Sequence, residues 1–359
     1  MVRADLPFQV ILRSCSNRLL LAITVAVLAL SIPRPAASSA PQNMLLVISK
    51  TDRKLAIVDL ATLSVVVRLD VDADPHEVVA TPDGRIAYVS NMGGGNGHGI
   101  SVVDLVEKRV LPSIDTGPLT GPHGLAFLDG KLWFTAQGAK AVAQYDPKLG
   151  RIDWIMGTGQ DWTHLIEVTP NGQRFYTTNA GSGTVSIFDR SEVRPPVDAS
   201  GHVQAGRKAT MEWLQTVIPL AKGVEGFDVA PDGGELWTAS PVTGEVFVID
   251  TVTKKVTVIP ANVLGANRLK ITNDGKRVLI SILRGGDLVV FDASTRKELK
   301  RMNLGKGAAG IAMDPNGSRA FVACTADDYV AVIDLKSLAV VNRLSVGGAP
   351  DGMNFTIRP

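Results

Sequence analysis

From residue 44 onward, short apolar runs recur along the chain, each bounded by Gly, Pro, Asn or Asp, a pattern that predicts β-strands joined by tight turns. Seven of these runs end in Asp: Ala56–Asp59, Ser101–Asp104, Ala143–Asp146, Ser186–Asp189, Phe247–Asp250, Val289–Asp292 and Ala331–Asp334. The terminal aspartates are separated by 45, 42, 43, 61, 42 and 42 residues, a repeat with one insertion. A second marker keeps the same phase, in Thr81–Gly84, Leu128–Gly130, Thr169–Gly172, Ala230–Gly233, Thr272–Gly275 and Asp314–Gly317. In these turns Asp or Asn holds the backbone through its side chain and Gly takes a conformation other residues resist.

Each unit reads as four short strands, A to D, for example Glu77–Ala80, Ile86–Ser90, Ile100–Asp104 and Arg109–Ile114. Repeats of this length with four strands apiece predict an all-β fold, a seven-bladed β-propeller of four-stranded blades. The N-terminal unit supplies only strands B, C and D. Ala349–Ile357 matches the start of a unit and has no successor. The C-terminal strand is therefore expected to complete the N-terminal blade, pairing Met353–Ile357 with it and leaving no raw inner edge. Residues 41–359 are expected to form this propeller, with an insertion at 190–213 in the fourth repeat, between strands C and D and so on the face opposite the channel mouth.

The strands Ala87-Tyr-Val-Ser-Asn91 and Phe175-Tyr-Thr-Thr-Asn179, set between Pro-Asp-Gly-type turns and Val-Ile-Asp-type strands, resemble the YVTN-type β-propeller repeat family across essentially all of residues 44–357. Other units depart from the Tyr-x-x-Asn form, as in Leu132–Ala136 and Leu236–Ser240. The resemblance implies an exported bacterial or archaeal propeller, and its heterogeneous functions carry none over to this chain.

Residues 1–40 differ from the rest. Arg3, Arg13 and Arg18 precede the apolar run Leu19–Leu30, and Ser38 and Ala40 offer small residues for cleavage, the order of a signal peptide. The expected location is exported, periplasmic or extracellular, with no membrane span in the mature chain. Without residues 1–40, the formal charge changes from +2 to −1, because four Arg and one Asp are removed. No basic run remains to neutralise phosphates, so nucleic acid is excluded as a partner. Cys324 is then the one mature cysteine, read as a buried structural thiol. The absence of Cys-x-x-Cys-His argues against covalent haem.

Candidate chemistry lies where the repeats disagree. Inner strands of a propeller ring a channel, and their first residues face its mouth. Aligned on the turns, this ring position is His76, His123, His164, Glu225, Asn267, Ala309 and Asp351. Three of the five histidines occupy it on consecutive blades. His98, in the glycine-rich B-to-C loop Gly93–Gly99, is expected to join them as a flap. Trp162, two residues before His164, is expected to wall the site, whereas Trp133 and Trp237 read as blade packing. The primary reading is a propeller that binds a small molecule, a protein or a polysaccharide at its channel mouth. The alternative is a metal-dependent lyase, hydrolase or oxidoreductase. There His76, His123 and His164 hold a transition metal, and Glu225 serves as fourth ligand or general base.

Overall fold

Strand B of every unit and most of each strand C are buried on both faces, as in Ile86–Asn91 and Lys54–Asp59, which explains why they read as apolar runs. Strand D lies outermost and alternates, with every second residue exposed in Ser64–Asp70 and Arg151–Gly157. The computed structural model describes residues 43–195 and 208–357. These form seven four-stranded antiparallel sheets, a seven-bladed β-propeller. The blades are named below by their ring residue. The first forty residues, with the expected leader, lie outside the described residues.

The strand boundaries agree with the sequence pattern to within two residues in the His76 blade, whose strands run Pro75–Ala80, Ile86–Asn91, Gly99–Asp104 and Arg109–Asp115. Ring closure is also as expected. Pro350–Ile357 is the inner strand of the N-terminal sheet and pairs antiparallel with Asn43–Ser49, Met353 opposite Val47 and Ile357 opposite Asn43. Seven apolar clusters fill the spaces between neighbouring blades. In one of them Leu45, Val47 and Val58 of the Asp351 blade meet Ala312, Phe321 and Val332 of the Ala309 blade. Burying apolar faces between twisted sheets is the dominant stabilising term of such a ring.

The repeated Asp at the end of strand C acts as a turn former. Asp59 Oδ1 accepts from the backbone of Ala61 and Thr62, and Asp104 and Asp250 do the same two and three residues on. Asp189 is the exception, because its strand runs on to Val193 and pairs over its whole length with Thr210–Pro219. The insertion is thus, in its described part, an extension of the C–D hairpin. It places Trp213 among Trp133, Trp154 and Phe175, between two blades. Trp133, Trp237 and Cys324 are buried, as expected of packing residues.

Candidate functional site at the channel mouth

The inner strand is interrupted at the ring position. In the His76, His123, His164, Asn267 and Ala309 blades the ladder between strands A and B is broken across the ring residue and the one after it. In the Asp351 blade the register shifts at the same place. In the Glu225 blade the inner strand begins only at Phe227. A bulge of this kind frees residues from the ladder and re-aims their side chains. Hydroxyls on strand B occupy the gap. Ser90, Thr135, Thr178 and Ser281 accept from the backbone N–H of Glu77, Gly124, Leu165 and Arg268, at 3.1, 2.8, 3.3 and 3.1 Å. This is the physical role of the third residue in Tyr-Val-Ser-Asn91 and Tyr-Thr-Thr-Asn179.

Two residues before the ring position, the backbone is left-handed in all seven blades: Asp74, Gly121, Trp162, Gly223, Gly265, Gly307 and Ala349 have φ of 59°, 64°, 53°, 82°, 79°, 72° and 49°. Glycine meets this demand without strain in four blades. Asp tolerates it, whereas a bulky residue such as Trp162 is a true outlier. Trp162 is also 59% exposed.

The re-aimed side chains converge. All seven ring residues and Trp162 line one cavity of about 330 Å³. His98 does not. Its Nδ1 lies 2.9 Å from Asp115 Oδ1 at the exposed outer end of the hairpin, while Gly94 and Gly95 of the same loop reach the cavity instead. Sequence reasoning missed Lys50, Gln137 and Arg268 in the wall. Arg268 follows a ring residue, and its guanidinium crosses the channel to Glu77 Oε1 at 2.6 Å.

A chain of polar contacts fixes the imidazoles. His76 Nε2 is 2.9 Å from Asp74 Oδ1, and His76 Nδ1 is 3.2 Å from His123 Nε2 and 3.4 Å from Lys50 Nζ. His164 Nδ1 meets Gln137 Nε2. Burial foremost holds His123 and His164 well below the ordinary histidine pKa, helped at His123 by His164 and His76 and then Arg268, and at His164 by Arg268 and then His76. His76 is lowered by burial and Lys50, against the pull of Asp351 and Asp74. With all three neutral, the contacts assign tautomers. His76 donates from Nε2 to Asp74, and its Nδ1 accepts from His123 Nε2. His123 Nδ1 is therefore an acceptor, and His164, accepting from Gln137 at Nδ1, carries its proton on Nε2. Among the described residues both His123 Nδ1 and His164 Nε2 are buried without a hydrogen-bond partner. Glu225 accepts from Asn267 Nδ2 at 2.9 Å and sits 3.8 Å from His164 Nε2. Burial raises its pKa, opposed by Arg268.

This geometry overturns the metal reading. Among the described residues, no three His, Cys, Asp or Glu side chains are placed to hold a metal ion. His76, His123 and His164 do meet, as tilted rings with centroids 4.9 and 3.9 Å apart, and His76 and His123 turn a nitrogen toward each other. Both nitrogens of His76 and one each of His123 and His164 are already engaged. Glu225, the expected fourth ligand, is turned to Asn267 and Arg268.

No family model matches the chain, and no curated protein sequence is similar to it. Solved structures are similar in fold. A functionally unknown protein from Desulfotomaculum acetoxidans superposes with a TM-score of 0.68 at 14% identity, over 88% of this chain and 99% of its own. A candidate 6-phosphogluconolactonase from Bacteroides fragilis gives 0.68 at 15% identity, over 90% and 100%. Hydrazine synthase of Kuenenia stuttgartiensis gives 0.66 at 19%, over 81% and 91%. The chain is a seven-bladed β-propeller with neighbours of the 6-phosphogluconolactonase-like propeller type. Identities this low establish the fold alone.

Proposed function

We propose that this chain is an exported binding propeller whose channel mouth takes a small polar molecule. One observation carries the reading: all seven ring residues, freed from their ladders at one position of each blade, converge on a single cavity together with Lys50, Gln137, Arg268 and the exposed Trp162. At about 330 Å³ the cavity lies at the small end of ligand pockets, which argues for a small molecule or the end of a larger one. Export rests on the leader-like order of residues 1–40.

A thermal-shift screen tests this with sugars, polyols, organic acids, amines and nucleotides against the wild type and His164→Phe. A bound ligand at about 100 times its Kd stabilises by about 2.7 kcal/mol. One chemical class is expected to raise Tm in the wild type and leave the variant unmoved. Absence of any shift, or equal shifts in both proteins, contradicts the proposal.

A further inference from the structure

The outermost strand of each blade leaves one row of backbone N–H and C=O groups without a neighbouring strand, and such an edge pairs with other chains unless something protects it. In six blades something does. Ser64–Asp70, Arg109–Asp115, Arg151–Gly157, Glu298–Asn303 and Ala339–Leu344 each carry a register shift against strand C, the bulge that twists an edge away. Val256–Pro260 is regular, but it is five residues long and ends in proline. Among the described residues the His164 blade is the exception. Its outermost strand, Thr210–Pro219, pairs over ten residues with no register shift and carries one charged residue, Glu212. Met211, Leu214 and Val217 on it are exposed.

This edge is also held in place. Trp213 packs against Trp133 and Trp154 of the preceding blade, and Gln215 Nε2 donates to Thr158 O at 2.9 Å and to Ser186 Oγ at 3.1 Å. The N–H of Leu220 donates to Gly183 O, at the start of strand C. By the alternation of an antiparallel ladder, even-numbered residues of Thr210–Pro219 therefore bond inward, and Met211, Trp213, Gln215 and Val217 turn their N–H and C=O outward. The strand is complementary to itself. In the antiparallel register that pairs all four of these residues, Trp213 faces the second copy's Gln215 and Met211 its Val217. Leu214 then faces its own counterpart on a two-fold axis, and Glu212 meets the hydroxyl of Thr216. Apolar residues oppose apolar residues and no like charges meet, the pattern that favours cross-strand pairing.

We propose that Thr210–Pro219 is a self-association edge, through which two copies of this chain join their four-stranded His164 blades into one continuous antiparallel sheet. Each copy offers the edge once, so the two-fold contact closes at a dimer. Sedimentation velocity over a concentration series is expected to show twice the chain mass at micromolar protein. Val217→Pro removes an outward N–H and none of the blade's own, and is expected to weaken self-association at least about tenfold. Leu214→Glu changes only an exposed side chain and is expected to do the same, by setting two carboxylates against each other. Leu214→Cys places two thiols at a pair outside the hydrogen-bonded positions, where Cα atoms lie about 4.5 Å apart, within reach of a disulfide. It is expected to cross-link the dimer under mild oxidation, while the buried Cys324 stays out of reach. A monomer at every concentration, as when the edge takes an extended segment of another protein, overturns the proposal. So does a dimer that survives both Val217→Pro and Leu214→Glu, or a Leu214→Cys protein that does not cross-link. None of these residues lines the channel-mouth cavity, so self-association and ligand binding stand or fall separately.

Discussion

At the scale of single residues, the site is built from departures. Trp162 sits where the backbone asks for glycine, and the left-handed region costs a non-glycine residue roughly 1–2 kcal/mol. Glycine's extra freedom in the unfolded chain offsets about 0.5–1 kcal/mol of any relief. Trp162→Gly is therefore expected to be as stable as the wild type or up to about 1.5 kcal/mol more stable, measured by urea denaturation, while losing ligand binding. A loss beyond about 1 kcal/mol would instead make Trp162 a packing residue. His123 gives a second expectation. Its folded pKa is depressed by burial, so the unfolded chain takes up a proton near pH 6.5 and the folded protein does not. Its contribution is full above pH 6.5 and is lost on acidification, at about 1.4 kcal/mol per pH unit. Buried Glu77 and Glu225, with raised pKa values, act in the opposite sense in both wild type and variant. Urea denaturation of His123→Gln at pH 6.5 and 5.5 is expected to show an acid loss smaller than the wild type's by about 1 kcal/mol, because the limiting slope is reached only below the unfolded pKa. Equal slopes in the two proteins would mean that His123 titrates normally.

At the scale of the strand and its turn, legibility follows from what repeats. Asp-ended strands, Asp-Gly turns and Tyr-x-x-Asn segments mark each unit because each solves the same local problem in every blade. Aligning them located the ring position in all seven blades and Trp162 beside it. Groups that solve a problem in only one blade left no such trace. Glu77 and Arg268 follow ring residues at a place that is glycine in four sister blades: Gly124, Gly226, Gly310 and Gly352. Lys50 and Gln137 lie in B-to-C loops that no marker indexes. The His98 loop turns inward through a single 3-10 turn at Gly93–Gly95, and Asp115 captures the imidazole outside, a tertiary choice invisible in the loop itself. The metal expectation failed similarly. Proximity of the three histidines was encoded by the repeat, but their orientation depends on Asp74 and Gln137, which belong to one blade each.

At the scale of the molecule, seven sheets close only because inner strands come very near one another around the channel. A Cβ on Gly352 would lie 2.1 Å from the carbonyl oxygen of His76, across the boundary between the C-terminal inner strand and the next blade. Gly352→Ala is expected to cost about 1–3 kcal/mol by overpacking. Gly157→Ala, on an outer strand with nothing within 4 Å, is expected to stay within about 0.5 kcal/mol of the wild type. Denaturant midpoints of the two variants measure the contrast, and similar midpoints would show that the ring gives way freely at this boundary.

The break in the inner strand has one more consequence. Because the ring residue stands outside the ladder, its identity is uncoupled from the hydrogen bonds that hold its blade. The channel mouth is in effect a word of seven letters, each replaceable by a single codon change without rewriting the lattice behind it. Propellers with one scaffold can therefore drift from ligand to ligand by spelling alone.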